Sequence, residues 1–224
     1  MIVIIQARLG SKRFSEKVLT KVYDKPLIEY ILERLKKNKN ITKIAVSTTN
    51  KKKDDKLVNF LKKKKILTFR GDEDNVVSRL LETAIKLKAK YFIRINGDSP
   101  MIDNKIISIM VRQFKVLKKV DIFTNVFPRI FPKGQSVEII KTKILKENLK
   151  RMSDFEKEHV TQYFYKNSKK FNIKSLSLDI TKKNFKKLKF AIDTKRDLKN
   201  LIKRFKKKDF LELSYLKKWF TQQL

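Results

Sequence analysis

The chain has 224 residues, a formal net charge of +34 and no cysteine, which allows a sizeable core and excludes disulfides, thiolate catalysis and Cys-ligated metal sites. With one histidine, any metal must sit on oxygen ligands. No run approaches the roughly 18 apolar residues of a membrane span, and the N-terminus has no charged n-region or cleavage site, so a cytoplasmic protein with no membrane partner is expected.

A charge this high suggests nucleic acid, because dense Lys/Arg surfaces bind phosphate backbones through counterion release. Lysine outnumbers arginine 46 to 11, alongside many Ile, Asn and Phe and few Gly, Pro and Ala. That is the composition of an AT-rich genome drifting toward its own codons. The runs at 51–53, 62–65 and 206–208 lie on or beside expected helices, where a solvated face is the ordinary reading. Nucleic acid is therefore set aside as a partner, and the scarce residue types carry the information.

Met1–Ala7 is expected to be a strand buried on both faces, with β-branched residues throughout its apolar run. It opens into ARLGSKRFSEK, where Arg8, Lys12, Arg13 and Lys17 crowd around Gly10 and Ser11. Cations, a hydroxyl and an unhindered backbone thus meet at the carboxyl end of a strand, where ligands bind in open α/β sheets. The loop is neither GxGxxG nor GxxxxGK[ST], so both common nucleotide fingerprints are absent.

Helix and strand periods then alternate. Pro26–Lys37, Asp54–Lys63 and Asn75–Leu87 read as helices; Lys43–Thr48, Ile66–Arg70 and Tyr91–Ile95 read as strands. Pro26 suits a first helical turn, and Asp74 is placed as the N-cap of the third helix. Ile106–Leu117 continues as a helix and Asp121–Thr124 as a short strand. The series predicts βαβ units on a mostly parallel sheet.

Beyond residue 125 the alternation lapses. A Pro/Phe loop (Phe127–Pro132), a strand Ser136–Ile140, helices near Thr142–Arg151 and Asp154–Tyr165, and strands near Ile173–Leu178 and Lys189–Ile192 are expected. Thr194 and Asp197 resemble a capping box opening a helix to about Phe205, and Tyr215–Gln222 reads as a last amphipathic helix. No linker divides the chain, so 1–224 is taken as one domain.

Several residues could carry chemistry. Asp98, in Gly97-Asp98-Ser99-Pro100 directly after a strand, could hold Mg²⁺, which needs only one or two carboxylates beside substrate phosphates; equally, it could be a turn aspartate. Asp193 follows an apolar run and could be a second ligand or a helix cap. His159 could be structural or could meet an anionic or hydroxylated substrate. Glu138 stands between Val137 and Ile139, so a buried face would oblige it to find a partner or a substrate hydroxyl. Asp72, Glu73 and Asp74 suit a helix N-terminus.

Six segments in order, IIQARLGSKRFSEKVL, RGDEDNVVSRLLETA, IRINGDSPMID, KGQSVEII, EKEHVTQYF and AIDTKRDLKNL, resemble the cytidylyltransferase family of spore coat polysaccharide biosynthesis protein F, with acylneuraminate and Kdo cytidylyltransferases as more distant kin. The resemblance implies a three-layer α/β/α, Rossmann-like fold of GT-A type with a mixed, mostly parallel sheet. It implies Mg²⁺-dependent transfer of CMP from CTP to an acidic sugar or phosphonate-like acceptor, and a homodimer.

By matching positions, the resemblance implies that Arg13, Lys17 and Asp98 are catalytic. Ala7, Arg8, Gly10, Ser11, Gly71, Arg79 and Asn96 would bind the nucleotide, Asp98 and Asp193 the metal, and Glu138, Glu158 and His159 the acceptor. The segment 125–180 would supply acceptor-side and dimer elements. Two departures stand out. Ser15-Glu16 replace the usual Pro-Gly before the loop lysine, and Lys133-Gly134-Gln135-Ser136 replace Asp-Gly-Leu-Asp, losing an acid where an acceptor could be gripped. A nucleotide-sugar-binding protein or glycosyltransferase of the same fold is the alternative, although Gly97-Asp98-Ser99 lacks the first acid of an Asp-x-Asp motif.

Overall fold

The computed structural model describes residues 1–11, 13–176, 188–212 and 214. The first strand, β1 (Ile2–Gln6), lies inside a seven-stranded sheet, third from one edge. Val3, Ile4 and Ile5 are fully buried, each stabilising the fold by ~1.5–3 kcal/mol. A two-stranded hairpin, β2 (Lys21–Val22) with β3 (Lys25–Pro26), follows and leads into α1 (Leu27–Lys36), with Pro26 at its N-cap. The hairpin is too short to leave an alternating pattern in the sequence.

The sheet then grows by crossovers: β4 (Lys43–Thr49), α2 (Asp55–Lys63), β5 (Leu67–Gly71), α3 (Val76–Lys86) and β6 (Tyr91–Asn96). After α4 (Asn104–Val116) come β7 (Ile122–Thr124), β8 (Glu138–Lys141), α5 (Thr142–Asn148), α6 (Asp154–Glu158), α7 (Gln162–Lys166) and β9 (Ile173–Ser175). The order is β5-β4-β1-β6-β8-β7-β9. Every pair is parallel except those made by β8, which runs antiparallel to β6 and to β7. This is the expected mixed, mostly parallel sheet.

Period-two alternation sends β1 side chains to two different helical layers. Val3 and Ile5 pack with Ile28 and Ile31 of α1, Leu57 of α2 and Ile106 of α4. Ile4 packs on the opposite face with Val77 and Leu80 of α3, Leu145 of α5 and Phe164 of α7. A third cluster joins Phe14, Tyr30 and Met101 to Phe190 and Ile192 and to α8 (Lys195–Arg204) and α9 (Lys207–Glu212).

Three local expectations are corrected. Lys189–Ile192 is not a strand: Lys189 makes a single bridge with Lys133, whose carbonyl accepts from the N–H groups of Phe190 (2.7 Å) and Ala191 (3.1 Å). The helix expected at Asp154–Tyr165 breaks after Glu158, because Val160 adopts φ 45° to bury its side chain. Asn75, not Asp74, caps α3 by accepting from Ser78 N–H at 2.9 Å. The charged run 206–208 lies at the start of the short helix α9 with its lysines exposed, as expected, and Phe210 behind it is buried. The Thr194/Asp197 capping box forms as expected. The helix expected at 215–222 lies outside the described residues.

Gly134 is at φ 94°, and a Cβ there would fall 2.4 Å from Ala191 N. Glycine alone lets the 188–192 segment lie against Lys133. Gly134→Ala should therefore cost more than about 2 kcal/mol of stability, read as a lowered urea midpoint with unchanged slope.

Candidate active site

β1 ends in register with its neighbours: Gln6 lies opposite Ser47 on β4 and Asn96 on β6. The loops after β1 and β6 are therefore delivered to the same sheet edge. Gly97 N–H donates to Gln6 O at 2.9 Å, and a Cβ on Gly97 would sit 2.8 Å from that of Ala7. A larger residue would part the two loops that carry Arg8 and Asp98.

The basic loop is fastened by Asp54, which is fully buried. Its carboxylate accepts from Leu9 N–H at 2.6 Å and from both the N–H (3.2 Å) and the hydroxyl of Thr49. Glu16 then donates its N–H to Leu9 O at 2.9 Å and turns the chain through φ 52°. This is the left-handed conformation that a glycine takes readily. The Glu16 carboxylate points to Lys56, 2.8 Å away on α2, and does not line the cleft. The carboxylate is thus turned from the cleft, and Lys17 follows on a one-turn 3₁₀ helix.

Lys17 Nζ lies 3.3 Å from Asp98 Oδ2, 3.9 Å from Asp193 Oδ1 and 3.0 Å from the Ile192 carbonyl. Arg13 reaches Asp193 Oδ1 at 3.5 Å. Ser99 Oγ donates to Asp98 Oδ1 at 3.0 Å, and Lys189 contacts Asp193 Oδ2 at 2.9 Å. Burial opposes the ionisation of Asp193, but Lys189, then Lys17 and Arg13, hold its carboxyl below the usual aspartate range. Two carboxylates thus face one ammonium group.

That donor set fits Mg²⁺. The ligands are hard oxygens, two in number, and already converge on a positive charge. Among the described residues no three His, Cys, Asp or Glu gather into a metal cluster, so a divalent ion here would need oxygens from a substrate or water.

Arg8 donates to the Glu73 carbonyl (2.7 Å) and to Glu158 Oε1 (3.1 Å). Arg79 holds the carbonyls of Asp72 and Glu73, and Gly71 leaves room for its stem, since a Cβ would sit 3.1 Å from Arg79 Cγ. Burial, then Arg8, lowers the Arg79 pKa to about 10, so it stays charged near neutral pH. His159 sits at the C-terminal end of α6 with its ring 4.3 Å from that of Phe155.

Together these residues enclose a cleft of about 780 Å³. Ala7, Arg8, Gly10, Ser11, Arg13, Lys17, Arg79, Asn96, Asp98, Glu158, His159 and Asp193 line it. Gly71 and Glu138 do not. Glu138 is buried and has the partner its position demands: Arg94 on β6, 2.5 Å away, with Thr161 and Tyr165 hydroxyls on its other oxygen. Sequence reasoning gave no role to Asp54, Gln6 or Lys53. Gln6 and Lys53 line the cleft; Asp54 acts from beneath it, and a helix-start aspartate in a lysine-rich stretch carries no mark of a buried clamp. Gln135, in the segment that departs from the family pattern, is buried and spans from Met101 O to Asp103 N–H at 2.8 Å each.

A family model described as cytidylyltransferase matches residues 2–223. An uncharacterized protein of Methanocaldococcus jannaschii is 34% identical over 88% of this chain and 79% of its own length. The spore coat polysaccharide biosynthesis protein SpsF of Bacillus subtilis is 25% identical over 88% of this chain and 83% of its own. The 3-deoxy-manno-octulosonate cytidylyltransferase of Escherichia coli is 32% identical over 45% of this chain and 40% of its own. Among solved structures, a cytidylyltransferase from Leptospira borgpetersenii superposes with a TM-score of 0.86 at 30% identity, covering 99% of this chain and 93% of that one.

Asp54→Asn would turn an amide N–H toward a buried donor, so it should cost about 2 kcal/mol or more and loosen the basic loop, measured by chemical denaturation. Asp197, 2.8 Å from Lys189, is likewise held below the usual aspartate value of 3.8: burial opposes ionisation, but Lys189 and the cap hydrogen bonds prevail. A depressed carboxylate stabilises the fold above the unfolded-state pKa, and that contribution is lost as pH falls through the folded value. The stability gap between the native chain and Asp197→Asn should therefore close between about pH 5 and pH 2, read from urea midpoints across that range.

Proposed function

The chain belongs to the cytidylyltransferase family, and we propose that it moves CMP from CTP to an acceptor carrying an anionic group, with release of pyrophosphate, in the synthesis of a surface-glycan precursor. The observation that carries this reading is the convergence of Arg8, Arg13 and Lys17 with Asp98 and Asp193 in one cleft at the carboxyl edge of β1 and β6. The name of the E. coli relative specifies an acidic sugar, and that of the B. subtilis relative a coat polysaccharide. Both favour a glycan acceptor for this chain.

The reaction asks little covalent work of the protein. An acceptor oxygen attacks the α-phosphorus, the bond from that phosphorus to the β-bridging oxygen breaks, and pyrophosphate leaves with the electron pair. The protein's part is to align the groups and offset charge. Arg13 and Lys17, fixed by Asp193 and Asp98, would meet the triphosphate. Asp98 and Asp193 would hold Mg²⁺, whose chemistry when bound is to neutralise phosphate charge.

Arg8 and Arg79 both hold the Glu73 carbonyl and so set the wall formed by residues 71–74 beside the nucleotide. Asn96 Oδ1 is buried with no hydrogen-bond partner among the described residues. A hydroxyl or amino group of the nucleotide would satisfy that acceptor. The cations of the cleft are each set against a carboxylate or carbonyl, an arrangement suited to one small polyanion rather than to a nucleic-acid backbone.

Lys17→Ala and Asp98→Ala should each lower the turnover of CTP by about 10²–10³-fold while leaving the circular-dichroism spectrum unchanged. The measurement is pyrophosphate release over a panel of nucleoside triphosphates and acidic acceptors. Unchanged turnover in Asp98→Ala would remove the metal assignment, and equal turnover of all triphosphates would remove cytosine selectivity.

A further inference from the structure

We propose that Arg94 is the specificity residue for the acceptor, reading with its guanidinium an oxyanion, carboxylate or phosphonate, of the molecule that receives CMP. The inference rests on the cytidylyl-transfer reading for the identity of that molecule, but not for the existence of the anion site.

Arg94 lies on β6, two residues before Asn96 and four before Asp98, and its side chain is 11% exposed, all within reach of the cleft it lines. Nε–H donates to Gln6 Oε1 at 2.8 Å, and one Nη1–H donates to Glu138 Oε2 at 2.5 Å. The plane of the guanidinium is therefore pinned from two neighbouring strands, β1 and β8. Its second Nη1–H and both Nη2–H have no protein acceptor among the described residues. A guanidinium carries five donors in a rigid fork, and three of them remain unspent in a largely buried position beside the reacting edge.

The apparatus behind Arg94 is built to hold it. Glu138 is buried, and its other oxygen accepts from Thr161 Oγ1 at 2.9 Å and from Tyr165 OH at 2.5 Å. Burial, then the Glu138 charge, pushes the Tyr165 phenol well above its ordinary value, so it remains a donor. Phe127 stacks on Tyr165 with centroids 4.6 Å apart. The Glu138 carboxylate thus accepts from three side chains, Arg94, Thr161 and Tyr165. The buried acid of β8 thus orients the arginine and need not touch the acceptor itself.

Location separates this residue from those that face the triphosphate. Arg8, Arg13 and Lys17 belong to the loop after β1, whereas Arg94 is held through β8 and α7, the insertion that follows the parallel half of the sheet. A planar fork matches a two-oxygen anion bidentately, which an ammonium at the same place would not do.

The test is calorimetric titration of the full chain, loaded with Mg²⁺ and an α,β-methylene analogue of CTP. The probes are 3-deoxy-manno-octulosonate, N-acetylneuraminate, 2-aminoethylphosphonate and the uncharged methyl ester of N-acetylneuraminate. The native chain should bind at least one of the anions and not the ester; whether the sugar acids or the phosphonate bind distinguishes carboxylate from phosphonate. The charge-neutral pair Arg94→Gln/Glu138→Gln should weaken that anion by about tenfold to a hundredfold and leave the CTP analogue within about twofold.

Arg94→Lys, which retains a partner for Glu138, should fall between. Equal binding of the anion by native and variant chains overturns the inference. So does a parallel loss of CTP-analogue affinity, or failure of every anion to bind the loaded native chain. If the analogue itself does not bind, the cytidylyl-transfer reading fails. The anions are then titrated alone, and their dependence on Arg94 decides this inference separately.

Discussion

The ammonium of Lys17 is the point on which the site is hung. It contacts Asp98 from the loop after β6 and, from the segment before α8, both Asp193 and the carbonyl of Ile192, so two distant stretches of chain meet the basic loop at one point. A partly buried ion pair is worth having only when its remaining valences are met. Here they are, through Ser99 on Asp98 and Lys189 on Asp193. Two carboxylates brought together without that cation would repel each other, and the cleft would lose its floor. The arrangement explains why the 188–192 segment is laid against Lys133 and Gly134: it must bring Asp193 to the sheet edge without becoming a strand.

The parallel half of the fold and the basic loop were legible because their signals are local. A β-branched run, a loop rich in cations and a scarce glycine need no distant partner to be recognised, and Gly10, Gly97 and Gly134 all lie where backbones or side chains approach closely. Asp54 was not legible, since its role is set by atoms on other elements, Leu9 and Thr49. Its residue type reads as a helix start. Glu138 was half legible: alternation showed a buried acid that needed a partner, but only the pairing of β6 with β8 could name it. The register puts Arg94 directly opposite Glu138.

The unusual Ser15-Glu16 turn shows how a departure from family pattern can be absorbed. Glu16, where the family pattern implies glycine, adopts a left-handed backbone with φ 52°, a conformation that costs an L-residue roughly 1–2 kcal/mol. Its carboxylate swings out to Lys56, one of many lysines available on so basic a surface. An exposed pair of this kind returns at most about 1 kcal/mol, so the turn remains a small net liability. What is preserved is the hydrogen bond from Glu16 N–H to Leu9 O, and with it the placement of Lys17.

The phosphate side and the proposed acceptor side of the cleft are held by different means. On the proposed phosphate side, loop side chains are tied to carbonyls and carboxylates, and the loop backbone is fastened by the buried Asp54. On the acceptor side, Arg94 is fixed by a buried acid that itself leans on two hydroxyls and a stacked ring. Buried polar networks are costly to leave half satisfied, so any change in Glu138, Thr161 or Tyr165 is transmitted to the guanidinium rather than dissipated. Selectivity for the acceptor would then be set by Arg94 and tuned by residues that never touch the acceptor, while the proposed handling of the triphosphate would rest with the loop after β1.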